Sequence, residues 1–154
     1  MLNVSKPMIF EVIPPFWRGS EDAVYKHLQN NSKSGFKTII CLRRKQPGWW
    51  LEMENKFQIE STFIHFPIPP SHLPYCFERI QNFIQTLSKF NYPVIYFCKK
   101  GKNRTGIISS ILRYQDTNSF FSGITEYFEV AQELKRNEDI NIIKSVLKEL
   151  CKPE

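Results

Sequence analysis

Five residues separate Cys98 from Arg104 in the segment Phe97-Cys98-Lys99-Lys100-Gly101-Lys102-Asn103-Arg104-Thr105-Gly106, and this segment restricts the fold more tightly than any other part of the chain. A loop of this kind needs a strand to deliver the cysteine and a helix to carry the arginine away. Val94 to Phe97 is short, apolar and rich in branched and aromatic side chains, which predicts a strand. Ile107-Ile108-Ser109-Ser110-Ile111-Leu112 continues with helical spacing of apolar residues, which predicts a helix from Arg104 to Tyr114. Between the two, the backbone is long enough to curl into a concave nest whose N–H groups point inward at an anion. Gly101 stands mid-loop, where a tight turn or a close approach to the anion tolerates no Cβ.

The residue types fit the same purpose. Arg104 is suited to close the ring, because a planar guanidinium holds two phosphate oxygens at once whereas a lysine acts as a point charge. The amides of residues 99 to 104 form the expected cradle, with Lys99, Lys100, Gly101, Lys102 and Asn103 as phosphate-binding candidates. The helix that follows aims a positive N-terminus at the bound anion. Amide donors, a helix N-terminus and a neighbouring arginine all favour a thiolate over a thiol, so Cys98 is the candidate nucleophile. Its attack on phosphorus would give a covalent phosphocysteine that water hydrolyses in a second step, with Thr105 donating its hydroxyl to the departing sulfur.

The plain alternative is a core cysteine at a strand end followed by a solvated lysine loop. Gly, Arg, Thr and Gly are all required at fixed offsets, which makes a chance match about one in ten thousand at ordinary composition frequencies.

The loop Cys98 to Gly106 resembles the signature loop of the cysteine-based protein tyrosine phosphatase superfamily. Phe10-Glu11-Val12 followed by Phe16-Trp17-Arg18-Gly19-Ser20 resembles the opening strands of its small atypical dual-specificity members, and Gly35-Phe36-Lys37-Thr38-Ile39-Ile40-Cys41-Leu42-Arg43 resembles their second characteristic strand. The likeness covers most of the chain and implies the fold of that superfamily and a phosphate monoester hydrolase activity. Lysines at positions 99, 100 and 102 are similar to those of members acting on inositol polyphosphates or phosphoinositides.

Two departures from the family pattern bear on catalysis. Phe97 stands where the family usually has a histidine that orients the loop, which removes one source of support for the thiolate. The family's general acid is usually an aspartate after the strand that corresponds here to Thr62-Phe63-Ile64-His65-Phe66. Pro67-Ile68-Pro69-Pro70-Ser71-His72-Leu73-Pro74 follows instead, with no carboxylate. His72 is the available proton donor, since an imidazolium near neutral pH can protonate a leaving oxygen; a solvated loop histidine is the other reading. Without an acid, good leaving groups would be preferred and turnover would be slow. The same departures raise a competing expectation, a phosphate-reading module that has lost turnover. A rhodanese-like sulfur transferase fits less well because its active loop is usually one residue shorter.

Charge and composition narrow the partners. The net charge is +6, with Arg43-Arg44-Lys45 after a predicted strand and three lysines in the anion loop. If both clusters face one mouth, Arg43 joins the binding residues and a polyphosphorylated substrate is drawn more strongly than a singly phosphorylated tyrosine. The basic residues form no stripe along one helix and no nucleic-acid module is recognised, so nucleic acid is not the expected partner. The expected partner is a phosphorylated protein or an inositol phosphate. Cys41, Cys76, Cys98 and Cys151 make no C-x-x-C pair, so neither zinc nor a disulfide framework is indicated, and no cofactor is expected. A reducing, cytoplasmic setting suits a nucleophilic thiol. Cys41 and Cys76 read as buried apolar residues, with a protective disulfide to Cys98 as the alternative. No run reaches the ~20 apolar residues that cross a bilayer, and Met1 to Pro7 carries no basic region followed by an apolar stretch, so a soluble, monomeric protein is expected. Trp49-Trp50, after Pro47-Gly48, reads as a loop pair folded onto the core.

The chain of 154 residues, 42% hydrophobic, suits one catalytic domain over residues 1–154. Strands are predicted at Ile9 to Val12, Thr38 to Leu42, Thr62 to Phe66 and Val94 to Phe97. Helices are predicted at Ser20 to Gln29, Trp50 to Phe57, Tyr75 to Phe90, Arg104 to Tyr114, Ile124 to Lys135 and Glu138 to Cys151. Strands interleaved with helices predict a single-domain α/β fold, and the resemblance given above implies that it is of the protein tyrosine phosphatase type. Its central sheet is mostly parallel and covered by helices on both faces, with the ligand outside the strand carboxyl ends.

Overall fold

Strand β5 (Val94–Cys98) is buried along its whole length and lies at the middle of a five-stranded sheet. The structure, a computed structural model, describes residues 9–69, 76–99 and 103–117. The other described elements are β1 (Ile9–Ile13), β2 (Phe16–Ser20), α1 (Glu21–Asn30), β3 (Thr38–Cys41), α2 (Trp50–Lys56), β4 (Thr62–His65), α3 (Cys76–Thr86) and α4 (Asn103–Thr117). The sheet order is β1-β2-β5-β3-β4. Among the described strands only the β1–β2 pair is antiparallel; β2, β5, β3 and β4 run parallel. Each parallel step needs a crossover, which the intervening helices supply.

Period-two alternation divides the sheet between two cores. Val94, Tyr96 and Cys98 of β5, with Ile40 and Leu42, pack with Ile80, Phe83, Ile107 and Ile111 from α3 and α4. Ile95 and Phe97, with Ile39 and Cys41, pack instead with Val24 and Leu28 of α1 and Trp50 and Met53 of α2. Both faces are therefore covered, and the strands read as continuous apolar runs, as expected for buried parallel strands. Trp50 is buried, and Trp49 stacks between Tyr25 at 5.1 Å and Phe97 at 5.7 Å, so the tryptophan pair is folded onto the core as its sequence context indicates.

Local chemistry explains most element ends. Ser20 is the N-cap of α1, not its first residue: its hydroxyl accepts from the Ala23 amide at 3.2 Å, and Glu21 and Asp22 fill the first turn. At the far end of α1, Lys56 Nζ donates to the Leu28 carbonyl at 2.8 Å. Gly35, at φ +80°, makes the turn into β3 in a backbone region that side chains disfavour. The helix expected from Tyr75 to Phe90 ends earlier, at Thr86, and a 3₁₀ turn over Leu87–Lys89 follows. There the Thr86 hydroxyl donates back to the Asn82 carbonyl at 2.6 Å and the Phe90 amide to Leu87 at 3.2 Å, tightening the chain toward β5. The helices expected at Ile124 to Lys135 and Glu138 to Cys151 lie outside the described residues.

Candidate active site

Cys98 ends β5 and is 3% exposed. Its side chain belongs to the apolar cluster on the α3 and α4 face, yet its sulfur receives a hydrogen bond from Thr105 Oγ1 at 2.9 Å. Thr105 lies in the first turn of α4, one residue after Arg104, so the helix that carries the guanidinium also delivers a hydroxyl to the sulfur. Phe97, one residue earlier, faces the opposite side of the sheet, where it is wholly buried among Trp49 and Trp50.

Neighbouring elements fasten the backbone on both sides of the cysteine. The Leu42 amide donates to the Phe97 carbonyl at 2.8 Å, and the Glu21 amide, at the start of α1, donates to the Lys99 carbonyl at 3.2 Å. The Lys99 carbonyl is thereby satisfied by the positive end of a second helix.

The segment after β4 closes the other side. Phe66 N donates to Cys41 O at 2.9 Å and Ile68 N to Leu42 O at 3.0 Å, extending the β3–β4 pairing past the strand ends. Arg79 of α3 donates through Nε to the Pro67 carbonyl at 3.0 Å, and its guanidinium lies 4.2 Å from the Phe66 ring centroid. The Ile68 carbonyl then accepts from Arg104 Nη1 at 3.3 Å. The Arg104 guanidinium thus leans on the segment that follows β4.

Arg43 is committed elsewhere. It forms an ion pair with the Glu21 carboxylate, with side-chain exposures of 26% and 14%, and its carbonyl accepts from His65 Nε2 at 2.6 Å. To hold a substrate phosphate it must share or release that carboxylate. Lys99 is exposed at the end of β5. Asn103 opens α4, but its side chain, together with His72, Lys100, Gly101 and Lys102, lies outside the described residues. Cys41, beside Phe97 in the β3–β5 register, has its thiol pushed up to about 11, chiefly by burial, against the lowering influence of Arg43 and Arg104. Cys41, Cys76 and Cys98 are buried and form no disulfide among the described residues. Among the described residues no three His, Cys, Asp or Glu side chains gather to hold a metal ion, and no helix is long and apolar enough to cross a membrane.

Several contributors to the site lie outside the loop motif. Ser20 followed by two acids is a recognisable helix start, and it signals the α1 terminus that holds Lys99. Arg79 and the Ile68 carbonyl carry no such signal, because their roles exist only once α3 and the β4 extension are side by side.

Residues 12–148 match the family described as DSP-PTPase phosphatase fused to NAD+ kinase. The chain belongs to that family. No curated protein matches it. Its fold is similar to that of the core catalytic domain of the PP-IP phosphatase SIW14 from S. cerevisiae, in a complex with citrate, at 19% identity, 88% coverage of this chain, 83% of that one and a TM-score of 0.67. Human DUSP28 is similar at 12% identity, 94% and 96% coverage and a TM-score of 0.62. The active form of Tk-PTP is similar at 14% identity, 91% and 96% coverage and a TM-score of 0.65. The expected superfamily and its α/β fold are therefore both found.

Proposed function

We propose that the protein hydrolyses phosphate monoesters through a phosphocysteine formed on Cys98. The observation that carries this reading is the hydrogen bond from Thr105 to the Cys98 sulfur, made one residue away from a conformationally tied arginine. In the first step the thiolate attacks phosphorus, the ester P–O bond breaks, and its electron pair goes to the leaving oxygen, which takes up a proton. Arg104 and the loop amides carry the charge of the equatorial oxygens. In the second step water attacks phosphorus and gives up a proton, the P–S bond breaks, and the electron pair returns to sulfur, where the Thr105 hydroxyl stabilises it. His72 is our candidate donor to the leaving oxygen.

For the substrate class we favour inositol polyphosphates over phosphoproteins. Support comes from Lys99, Lys100 and Lys102 in the loop and from the similarity to a PP-IP phosphatase. Phosphate release measured across inositol polyphosphates and phosphopeptides tests the choice, and robust phosphopeptide turnover beside inert inositol compounds would reverse it. Hydrolysis of an aryl phosphate by the purified protein tests the chemistry itself. Cys98→Ser is expected to abolish turnover while inorganic phosphate still binds.

A second reading, a phosphate-binding module without turnover, is favoured by two observations. The phenyl side chain of Phe97 has no hydrogen-bonding group to offer beside the nucleophile, and no carboxylate occurs from Pro67 to Pro74. Phosphate binding with no hydrolysis of even an activated aryl ester would establish it.

A further inference from the structure

Beneath the Cys98–Thr105 contact lies a second one between the same two elements. Tyr96 OH is 2.8 Å from Ser109 Oγ, and Ser109 Oγ donates to the Thr105 carbonyl at 2.8 Å. Proton counting gives the direction. A carbonyl can only accept, so the single hydroxyl proton of Ser109 is used on Thr105, and Tyr96 must donate to Ser109. Tyr96, Thr105 and Ser109 are 0% exposed and Cys98 is 3% exposed, so water does not readily replace any link.

The spacing makes this pair of contacts a two-rung ladder. Tyr96 and Cys98 are two apart on β5 and face the same side, about 6.7 Å along the strand. Thr105 and Ser109 are four apart on α4 and share a face, about 6 Å along the helix. Cys98 meets Thr105 and Tyr96 meets Ser109, so strand and helix run past one another with matched rungs. Such a ladder resists both sliding and rotation of α4 against β5. The short contact from the Thr105 hydroxyl to the Cys98 sulfur therefore depends on where α4 is held against β5.

We infer that Tyr96 is a positioning residue for the second chemical step, acting through Ser109 to hold the Thr105 hydroxyl on the Cys98 sulfur as the phosphocysteine is hydrolysed. The inference rests on the hydrolase reading above. It assigns Tyr96 no contact with substrate and no proton transfer. Its effect falls on the step in which sulfur leaves, because only there does negative charge return to sulfur.

The test uses the full chain and an aryl phosphate with a good leaving group, followed from the first turnover. Tyr96→Phe removes one hydroxyl and keeps the ring. Expected is a fall in kcat of about fivefold with a parallel fall in KM, so that kcat/KM is unchanged and the first burst is at least as large as in wild type, because the phosphoenzyme persists longer. Combining it with Thr105→Ala is expected to cost no more than Thr105→Ala alone, because both act on one contact. Should Tyr96→Phe fail to fold, Ser109→Ala breaks the same connection one link later and is read by the same criteria, with Ser109→Thr expected to restore kcat. An unchanged kcat, a loss in kcat/KM equal to that in kcat, or effects of Tyr96→Phe and Thr105→Ala that multiply would overturn the inference while leaving the hydrolase reading intact. No turnover by the wild-type protein would remove both.

Discussion

The backbone amide of Glu21 donates to the carbonyl of Lys99 at 3.2 Å, which ties the start of α1 to the first peptide after the nucleophile. A carbonyl drawn toward that helix terminus is one that does not face an anion held by the loop. The β2–β5 register explains why the two meet: Ser20 and Cys98 are paired neighbours on parallel strands, so the chain leaves both strands at the same level of the sheet. Two helix N-termini, those of α1 and α4, therefore converge beside one cysteine.

Because Ser20 caps α1, Ser20→Ala is expected to lower stability by about 1 kcal/mol in denaturant unfolding. The same variant should bind inorganic phosphate more weakly than wild type, since the Lys99 peptide loses a fixed neighbour. Unaltered phosphate affinity would show that α1 supports only the fold.

Restoring the usual family residue by Phe97→His is expected to harm the protein. The side chain at this position sits in a dry aromatic cluster, with Trp49 at 5.7 Å and Trp50 at 6.1 Å between ring centroids. An imidazole there buries polar nitrogens, at a cost of about 1–3 kcal/mol. A lower Tm without a gain in kcat is the expected outcome, and a rise in kcat would show that the loop can recruit the new ring.

Arg104→Lys is expected to weaken phosphate or vanadate binding by about tenfold or more. A point charge on a flexible stem replaces a planar fork that can grip two oxygens and lean on Ile68. Inhibition constants for the two oxyanions check it.

The Cys41 thiol governs a distinct alkaline response. Folded, it keeps its proton to about pH 11, whereas its ordinary value is 9.0. Below pH 9 both folded and unfolded chains hold the proton, so the contribution to stability is complete there. Between pH 9 and 11 only the unfolded chain releases it, and stability falls by about 2 kcal/mol across that window. Chemical denaturation across the window should show a shallower decline in Cys41→Ala than in wild type.

Much of the site is legible in the sequence. The Cys98–Arg104 spacing, the strand before it and the helix after it are local, and local period and turn chemistry encode them directly. The contact between Thr105 and the sulfur was readable for the same reason, since the loop brings its own two ends together. The α/β class followed from alternating strand and helix patterns, because each pattern demands a particular partner surface.

Other relationships had no local trace. Arg43 read as a basic residue available to a phosphate, yet it pairs with Glu21, 22 positions earlier in the chain. Arg104 rests on a backbone carbonyl 36 positions away, and Tyr96 meets Ser109 across the gap between β5 and α4. The amino-acid sequence by itself determined which chemical groups the loop carries and which elements flank it, because those depend on neighbours along the chain. Which charges are already spent, which carbonyl orients the arginine and which face Phe97 occupies were decided only when parallel strands fell into register. Hydrogen bonding and burial act through space, and strand order is a property of the assembled sheet.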